Sequence, residues 1–158
     1  MGVSVMWWAA AAVAVVIAVF LIVSPIQAAM RDSRLADARR DFHVQREWLE
    51  AKFVTLAGVR LKPDAPRWLD CEFDNDVAYV RNRSTKELAA FVAITVTVQE
   101  DASLGSDESP SLRSGTAVFR FELGRWKTDG TAMLNLSPFE AVRFYRNDFE
   151  IVAQEMPR

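Results

Sequence analysis

The sequence predicts an α+β protein: an N-terminal transmembrane helix and an amphipathic stalk helix, then an antiparallel β-meander of about five strands closed by a C-terminal helix. Three observations support this fold class. Residues 1–30 contain no Asp, Glu, Lys or Arg, whereas the rest of the 158-residue chain carries all 19 basic and 21 acidic side chains. Apolar residues then recur at helical spacing as far as residue 56. Beyond Pro63 and Pro66 they alternate with polar residues, as in strands with one buried face.

The leader at 1–29 is predicted to be a membrane anchor. Residues 5–23 form an uninterrupted run of 19 apolar residues, which as a helix would be about 28 Å long, close to the thickness of a hydrocarbon core. Trp7 and Trp8 stand at its start, where indole rings favour the headgroup region. A cleaved signal peptide is the alternative. Against it, no basic residue precedes the run, which also exceeds the ~7–15 residues of a signal-peptide core.

The arginines around the leader predict its orientation. None precedes the apolar run, and five follow it, at Arg31, Arg34, Arg39, Arg40 and Arg46. Because basic residues accumulate on the cytoplasmic side of membrane helices, a single-pass protein of the cell membrane with a cytoplasmic C-terminal domain is expected. Arg31, Arg34, Arg39 and Arg40 are also candidates for binding anionic lipid headgroups, with a simple topology signal as the alternative.

Residues 30–58 are predicted to form an amphipathic stalk helix. Its apolar positions are spaced by three, four and seven residues, at Leu35, Ala38, Phe42, Leu49, Phe53 and Leu56. One interpretation is that the distal end packs on the following domain. The alternative is a coiled-coil homodimer through this stripe, which is weakened by Gln45 and Lys52 at seam positions.

Residues 59–158 are predicted to form the small domain. Strands are expected at 69–73, 77–81, 91–99, 115–123 and 131–136, with a short hairpin partner at 126–128. The turns between them are predicted at Asp74-Asn75-Asp76, at 82–87, at Gly124-Arg125 and at Asp129-Gly130. The acidic, serine-rich segment 100–114 lacks periodicity and is expected to be a long mobile loop.

The chain is expected to end in a helix that closes the sheet. Ser137, Pro138 and Glu140 form a capping box with proline at the first helical position. The helix beyond it is predicted to bury an apolar stripe of Phe139, Val142, Tyr145, Phe149 and Val152.

Composition excludes several classes of function. The net charge of −2 and the isoelectric point of about 5.5 disfavour a nucleic-acid partner. A single cysteine, Cys71, excludes an intrachain disulfide framework and a multi-cysteine zinc site. A single histidine, His43, excludes a histidine-rich metal site. No glycine-rich phosphate-binding motif and no G-x-S-x-G motif occurs.

Two groups of residues are candidate chemical sites. Asp70, Glu72, Asp74 and Asp76 alternate along one strand and are candidate ligands for a hard cation, or alternatively a solvated strand face. They do not fit the EF-hand pattern. Cys71 is a candidate nucleophile or, by its place between Leu69 and Phe73, a small buried apolar residue.

Other motifs are weak. Two glycosylation sequons, Asn82-Arg83-Ser84 and Asn135-Leu136-Ser137, matter only if the domain is not cytoplasmic. Trp68 and Trp126 are assigned to core or rim packing, with partner contact as the alternative.

These observations favour a membrane-anchored, non-catalytic interaction or scaffold module. No catalytic, cofactor-binding or metal-binding residue is assigned, and no cofactor is implied. The partners expected are the membrane and either a partner protein or a second copy of the chain bound through the stalk. The alternatives are an extracytoplasmic ligand-binding domain and a metal-assisted hydrolase using Asp70, Glu72 and Asp76.

Overall fold

The computed structural model describes residues 2–60, 67–99 and 110–156; before residue 32 it describes the side chain of Trp8 alone. The elements are α1 (Gly2–Arg60), β1 (Arg67–Asn82), β2 (Leu88–Gln99), β3 (Ser111–Glu122), β4 (Arg125–Lys127), β5 (Ala132–Leu134), α2 (Pro138–Phe144) and β6 (Phe149–Glu155). The predicted α+β class is confirmed, with an antiparallel meander of six strands and one long helix. Two compact units are distinguished, Met1–Asp41 and Phe42–Arg158.

The predicted transmembrane anchor at 1–29 lies in α1, outside the residues whose side chains are described except for Trp8. Among the described residues, no helix is long and apolar enough to cross a membrane. Residues 2–29 and the predicted stalk at 30–58 belong to one continuous helix, which ends at Arg60.

The sheet is antiparallel throughout, in the order β4-β3-β2-β1-β6, with β5 also pairing with β3. Its first face packs on the second half of α1. Phe42, Leu49 and Phe53 are fully buried there, and the ring of Phe42 lies 4.9 Å from that of Trp126, between ring centroids. The prediction that the distal end of the stalk packs on the domain is therefore confirmed.

The turn predicted at Asp74-Asn75-Asp76 is wrong, because β1 continues through it. Phe73 pairs with Ile94 and Val77 with Val92, so these three residues stand opposite Ala93 alone and form a bulge. Arg46 of α1 stabilises the bulge by donating hydrogen bonds to the carbonyl oxygen of Asp74 and to Oδ1 of Asn75. The two predicted strands at 69–73 and 77–81 are accordingly one.

The loop predicted at 100–114 is too long at its C-terminal end. Residues 100–109 lie outside the described residues, but β3 already begins at Ser111, and Ser111 pairs with Val98. The polar side chains of Arg113 and Ser114 interrupt the apolar alternation by which a strand is predicted. Their backbone nevertheless pairs with β2, because strand pairing does not require apolar side chains.

The C-terminal helix is also shorter than predicted. The capping box at Ser137 and Glu140 is confirmed, but α2 ends at Phe144, and the chain then turns into β6. The amides of Asp148 and Phe149 both donate to the carbonyl of Tyr145, which closes this turn. β6 then pairs with the free edge of β1, with Asn82 opposite Phe149 and Val77 opposite Glu155.

The apolar stripe predicted for that helix is therefore divided between two elements. Val142 is buried on α2, whereas Phe139 is 51% exposed and Tyr145 37% exposed. Phe149 and Val152 are half-buried on β6. Among the residues that the structure describes, the sheet is consequently covered by α1 on one face and by the short α2 on the other.

Candidate binding groove

The second face of the sheet carries an apolar cluster of its own. Strand alternation turns Ala78 and Val80 of β1 away from the face that holds Val77 and Tyr79. The buried members of this cluster are Ala78, Val80, Ala89, Phe91, Val118, Ala141 and Val142, with Met133, Leu136 and Phe149 packed against them. The sheet is therefore apolar on both faces.

A groove with a volume of about 400 Å³ opens over this cluster. Ala89, Phe91 and Val118 form its floor, and Phe149 packs edge-on against Phe91 with 5.3 Å between ring centroids. The other residues lining it are Asn82, Glu87, Leu88, Arg120, Thr131, Met133 and Tyr145. The groove thus combines an apolar floor with a polar rim, the composition typical of ligand and partner sites.

The capping box positions one wall of the groove. The Ser137 amide and hydroxyl both approach Oε2 of Glu140, at 2.9 Å and 2.8 Å, and the Glu140 amide donates back to Ser137. These hydrogen bonds lower the pKa of Glu140. They fix the start of α2, and α2 in turn places Tyr145 at the groove.

The turn after α2 is braced by the β1–β2 hairpin. The Arg83 amide donates to the carbonyl of Asp148 at 2.7 Å, and its Nε donates to the carbonyl of Arg146. The Arg83 guanidinium also pairs with Glu150 at 3.3 Å. Asn82, which lines the groove, uses its Oδ1 to accept the amides of Ser84 and Thr85.

The opposite rim is held by charges around Asp129. Burial alone would raise the pKa of Asp129, but hydrogen bonds from Thr131 and the positive charges of Arg120 and Arg60 lower it overall. Arg60 lies 3.2 Å from the Asp129 carboxylate and Arg120 lies 3.8 Å from it. Arg120 is therefore partly neutralised where it borders the groove.

An aromatic patch of Phe144 and Tyr145 lies beside the groove, because Tyr145 lines the groove and the ring of Phe144 packs on it. Phe144 is 71% exposed, and its ring packs edge-on against Tyr145 at 5.0 Å between centroids. Exposed Arg143 and Arg146 flank Phe144. Because aromatic residues and arginine are the types enriched at the centres of protein interfaces, this patch has the composition of a contact surface.

The carboxylates considered in the sequence do not gather into a site. Asp70, Glu72 and Asp74 are exposed along β1, and two of them accept hydrogen bonds from the following backbone amide. Within the described parts of the chain, no group of three or more His, Cys, Asp or Glu side chains could hold a metal ion. Burial, followed by the charge of Asp74, raises the pKa of Asp76.

Cys71 and His43 are not placed for joint chemistry. Burial, and then the charges of Asp70 and Glu50, raise the pKa of the Cys71 thiol to about 12, which opposes formation of a nucleophilic thiolate. His43 on α1 lies beside β6 instead, with its Nε2 2.8 Å from Glu155.

The other residues singled out in the sequence are two tryptophans, a sequon asparagine and the arginines of α1. Trp126 is buried against Phe42 and Phe121, and Trp68 is half-buried near Phe53. Asn135 adopts a left-handed backbone conformation with φ of 62° after β5. Arg31 has no described side chain, whereas Arg34 and Arg40 are exposed on α1.

Comparison with protein-family models, with curated proteins and with solved structures gives no match to this chain. The groove itself was missed in the sequence. A signal for it exists, because β2 places Ala89 and Phe91 on one face and Ala90 and Val92 on the other. A strand that is apolar on both faces must be covered on both, and in the described part of the chain the helix that follows β3 is short.

Proposed function

We propose that this chain is a membrane-tethered, non-catalytic interaction module that binds a partner protein across the groove and the aromatic patch. The exposure of Phe144, whose ring packs on Tyr145 at the rim of an apolar groove, carries the proposal. Large exposed aromatic side chains are costly to leave in water, and contiguous apolar patches typically mark interaction sites. The high pKa of Cys71 and the dispersed carboxylates support a non-catalytic role.

The tether is the leader at 1–29, and its support is the 19-residue apolar run. The five arginines that follow it favour a cytoplasmic domain. A green fluorescent protein fused to the C-terminus should therefore fluoresce, whereas alkaline phosphatase fused there should be inactive. Active phosphatase with a dark fluorescent fusion would place the domain outside the cytoplasm.

The chemistry of the patch indicates the kind of partner. Phe144 and Tyr145 offer aromatic contact area, and Arg143 and Arg146 add positive charge on its exposed side. The complementary surface is an apolar side chain that enters the groove, flanked by carboxylates that meet the two arginines. A partner segment with an aliphatic or aromatic anchor next to Asp or Glu meets these conditions.

The test compares two exposed apolar residues. Phe144→Ser removes a ring from the patch, whereas Leu123→Ser alters a residue that is 97% exposed at the β3–β4 turn. Co-purification from solubilised membranes should recover a defined partner with the wild type and with Leu123→Ser, and at least ~10-fold less with Phe144→Ser. Equal recovery with both variants, or no partner with the wild type, would overturn the proposal.

A small apolar ligand in the groove is the second candidate, and the groove's volume favours it. A volume of about 400 Å³ is within the ~300–1,000 Å³ of small-molecule sites. Ala89→Leu would fill the floor without altering Phe144. Loss of bound lipid-like material after Ala89→Leu, with partner recovery unchanged, would identify the small ligand as the occupant.

A further inference from the structure

The second half of α1 has apolar residues on two opposite sides. On the side facing the sheet, Phe42, Leu49 and Phe53 are fully buried. On the other side, Val44 is 81% exposed and Trp48 57% exposed. A helix packed on one sheet ordinarily presents charged residues to solvent, so the second apolar side requires an explanation.

The exposed residues form a regular seam, the outer stripe of Val44, Trp48, Ala51, Thr55 and Gly58. All five are exposed, and they are spaced by four, three, four and three residues. This is the repeat with which two helices pack knobs into holes. The Thr55 hydroxyl donates to the carbonyl of Ala51. Because this hydrogen bond is made within the helix, Thr55 can pack against an apolar surface without leaving its donor unpaired.

The charges beside the outer stripe select the partner and its direction. The outer stripe fits a heptad repeat in which Trp48 and Thr55 occupy the a positions and Val44, Ala51 and Gly58 occupy the d positions. In this repeat Glu47 is at a g position, and Lys52 is at the e position of the next heptad. A parallel pair of identical helices brings each Glu47 next to the Lys52 of the other copy. An antiparallel pair would instead bring g to g and e to e, so that like charges meet.

Neither charge forms an ion pair with another residue that the structure describes. Glu47 is exposed and has no charged partner among the residues that the structure describes. The Lys52 ammonium lies 4.9 Å from the centroid of the Trp48 ring, at the edge of the outer stripe. It is therefore already held beside the surface at which a second helix would arrive.

We propose that a second copy of this chain docks on the outer stripe to form a parallel helix pair, with two symmetric Glu47–Lys52 ion pairs. The stripe that the sequence suggested for a dimer is occupied by the sheet, so the pair must use the opposite side of α1. The seam is only ~21 Å long at 1.5 Å per residue. Such a short seam is weak in dilute solution, and tethering both copies in one membrane would raise their effective concentration.

This pair is separate from the proposed partner surface. The outer stripe faces away from the sheet, whereas the groove lies on the far face of the sheet. The dimer therefore leaves the groove open, and its failure would not affect the Phe144 experiment. A dimer would also present two grooves to a divalent partner, with the gain in avidity that two linked sites give.

Disulfide trapping of the full chain in liposomes tests the pair. In a Cys71→Ala background, Ala51→Cys places a thiol on the seam. Val54→Cys, 42% exposed on the same helix, places one at its flank. Disulfides need Cβ atoms about 4 Å apart, so Ala51→Cys should cross-link at least ~10-fold faster than Val54→Cys. Equal rates, or faster cross-linking at Val54, would overturn the proposal.

Charge exchange tests the direction. Glu47→Lys and Lys52→Glu should each slow the Ala51→Cys cross-link, because each places like charges together in a parallel pair. The double exchange should restore the wild-type rate. Slowing that the double exchange does not reverse would overturn the parallel pairing. So would rapid cross-linking between a Val44→Cys chain and a Gly58→Cys chain. Unchanged unfolding midpoints for all variants would show that the fold is intact.

Discussion

The two faces of the sheet are both apolar, but they are covered very differently. On the α1 face, Phe42, Phe53, Phe119 and Trp126 bury their rings almost completely. On the other face, the seven residues of α2 cover only part of the surface and leave Phe144 exposed. The first face therefore supplies most of the stability, and the second retains apolar surface that can bind something else.

The largest expected effect comes from truncating a ring on the α1 face. Phe53 contacts Phe73 and Phe119, with ring centroids 5.6 Å and 5.8 Å away. Phe53→Ala should lower the free energy of unfolding by about 3–5 kcal/mol, because it removes a fully buried ring and leaves a cavity. Chemical denaturation of the purified chain measures this.

The matched variant on the groove face is Phe149→Ala. Phe149 packs on Phe91 but is only half-buried on β6, so a loss of about 1–2 kcal/mol is expected from the smaller area it removes from water. If Phe149→Ala lowered the free energy of unfolding as much as Phe53→Ala does, the groove face would stabilise the fold as strongly as the α1 face. That result would contradict the difference between the two faces.

Two glycines with the same backbone conformation show how closely the sheet packs on α1. Gly124 and Gly130 share a left-handed backbone, with φ of 75° and 76°. A Cβ at Gly124 would meet nothing within 4 Å, whereas at Gly130 it would lie 2.5 Å from the backbone nitrogen of Ala57 on α1. The turn before β5 thus approaches the helix so closely that only glycine fits.

Gly124→Ala should cost about 1–2 kcal/mol, the strain of a left-handed alanine. Gly130→Ala adds a collision with the helix backbone and should cost about 2–5 kcal/mol in total. Thermal unfolding of both variants, followed by circular dichroism, separates the two contributions. Similar melting temperatures would show that the helix and the turn move apart at little cost.

Local signals in the sequence predicted local structure well. The β2 strand and the capping box at Ser137 each depend on a few adjacent residues, and each is present. The turn predicted at Gly124-Arg125 lies one residue earlier, at Leu123-Gly124. Gly130 adopts a left-handed conformation between β4 and β5. The burial of Phe42, Leu49 and Phe53 also follows from their spacing. These features need no knowledge of the rest of the chain.

The errors arose where a distant element decides the outcome. The bulge at Asp74 depends on Arg46, 28 residues earlier. The strand β6 depends on the free edge of β1, and the apolar residues at 149 and 152 fit helical spacing equally well. The groove depends on how little of the sheet α2 covers, which no local pattern records.

The smallest expected effect is on the groove face, at the cap of α2. Ser137→Ala removes the hydroxyl that bonds to Glu140 and to its amide, and should cost about 1 kcal/mol at neutral pH. Ser84→Ala is the control, since Ser84 is an exposed turn serine that is bonded through its amide. Urea denaturation of the two variants measures the difference.

The pH dependence of that cost identifies its origin. Hydrogen bonds from Ser137 lower the pKa of Glu140 from its usual 4.5. Because the pKa is lower in the folded state, the stabilisation is complete above pH 4.5 and is lost as the pH falls through the folded pKa. The difference in unfolding free energy between the wild type and Ser137→Ala should therefore shrink in acid, while Ser84→Ala stays level with the wild type at every pH. A difference independent of pH would mean that the serine acts only as an acceptor for the helix amide, without the carboxylate.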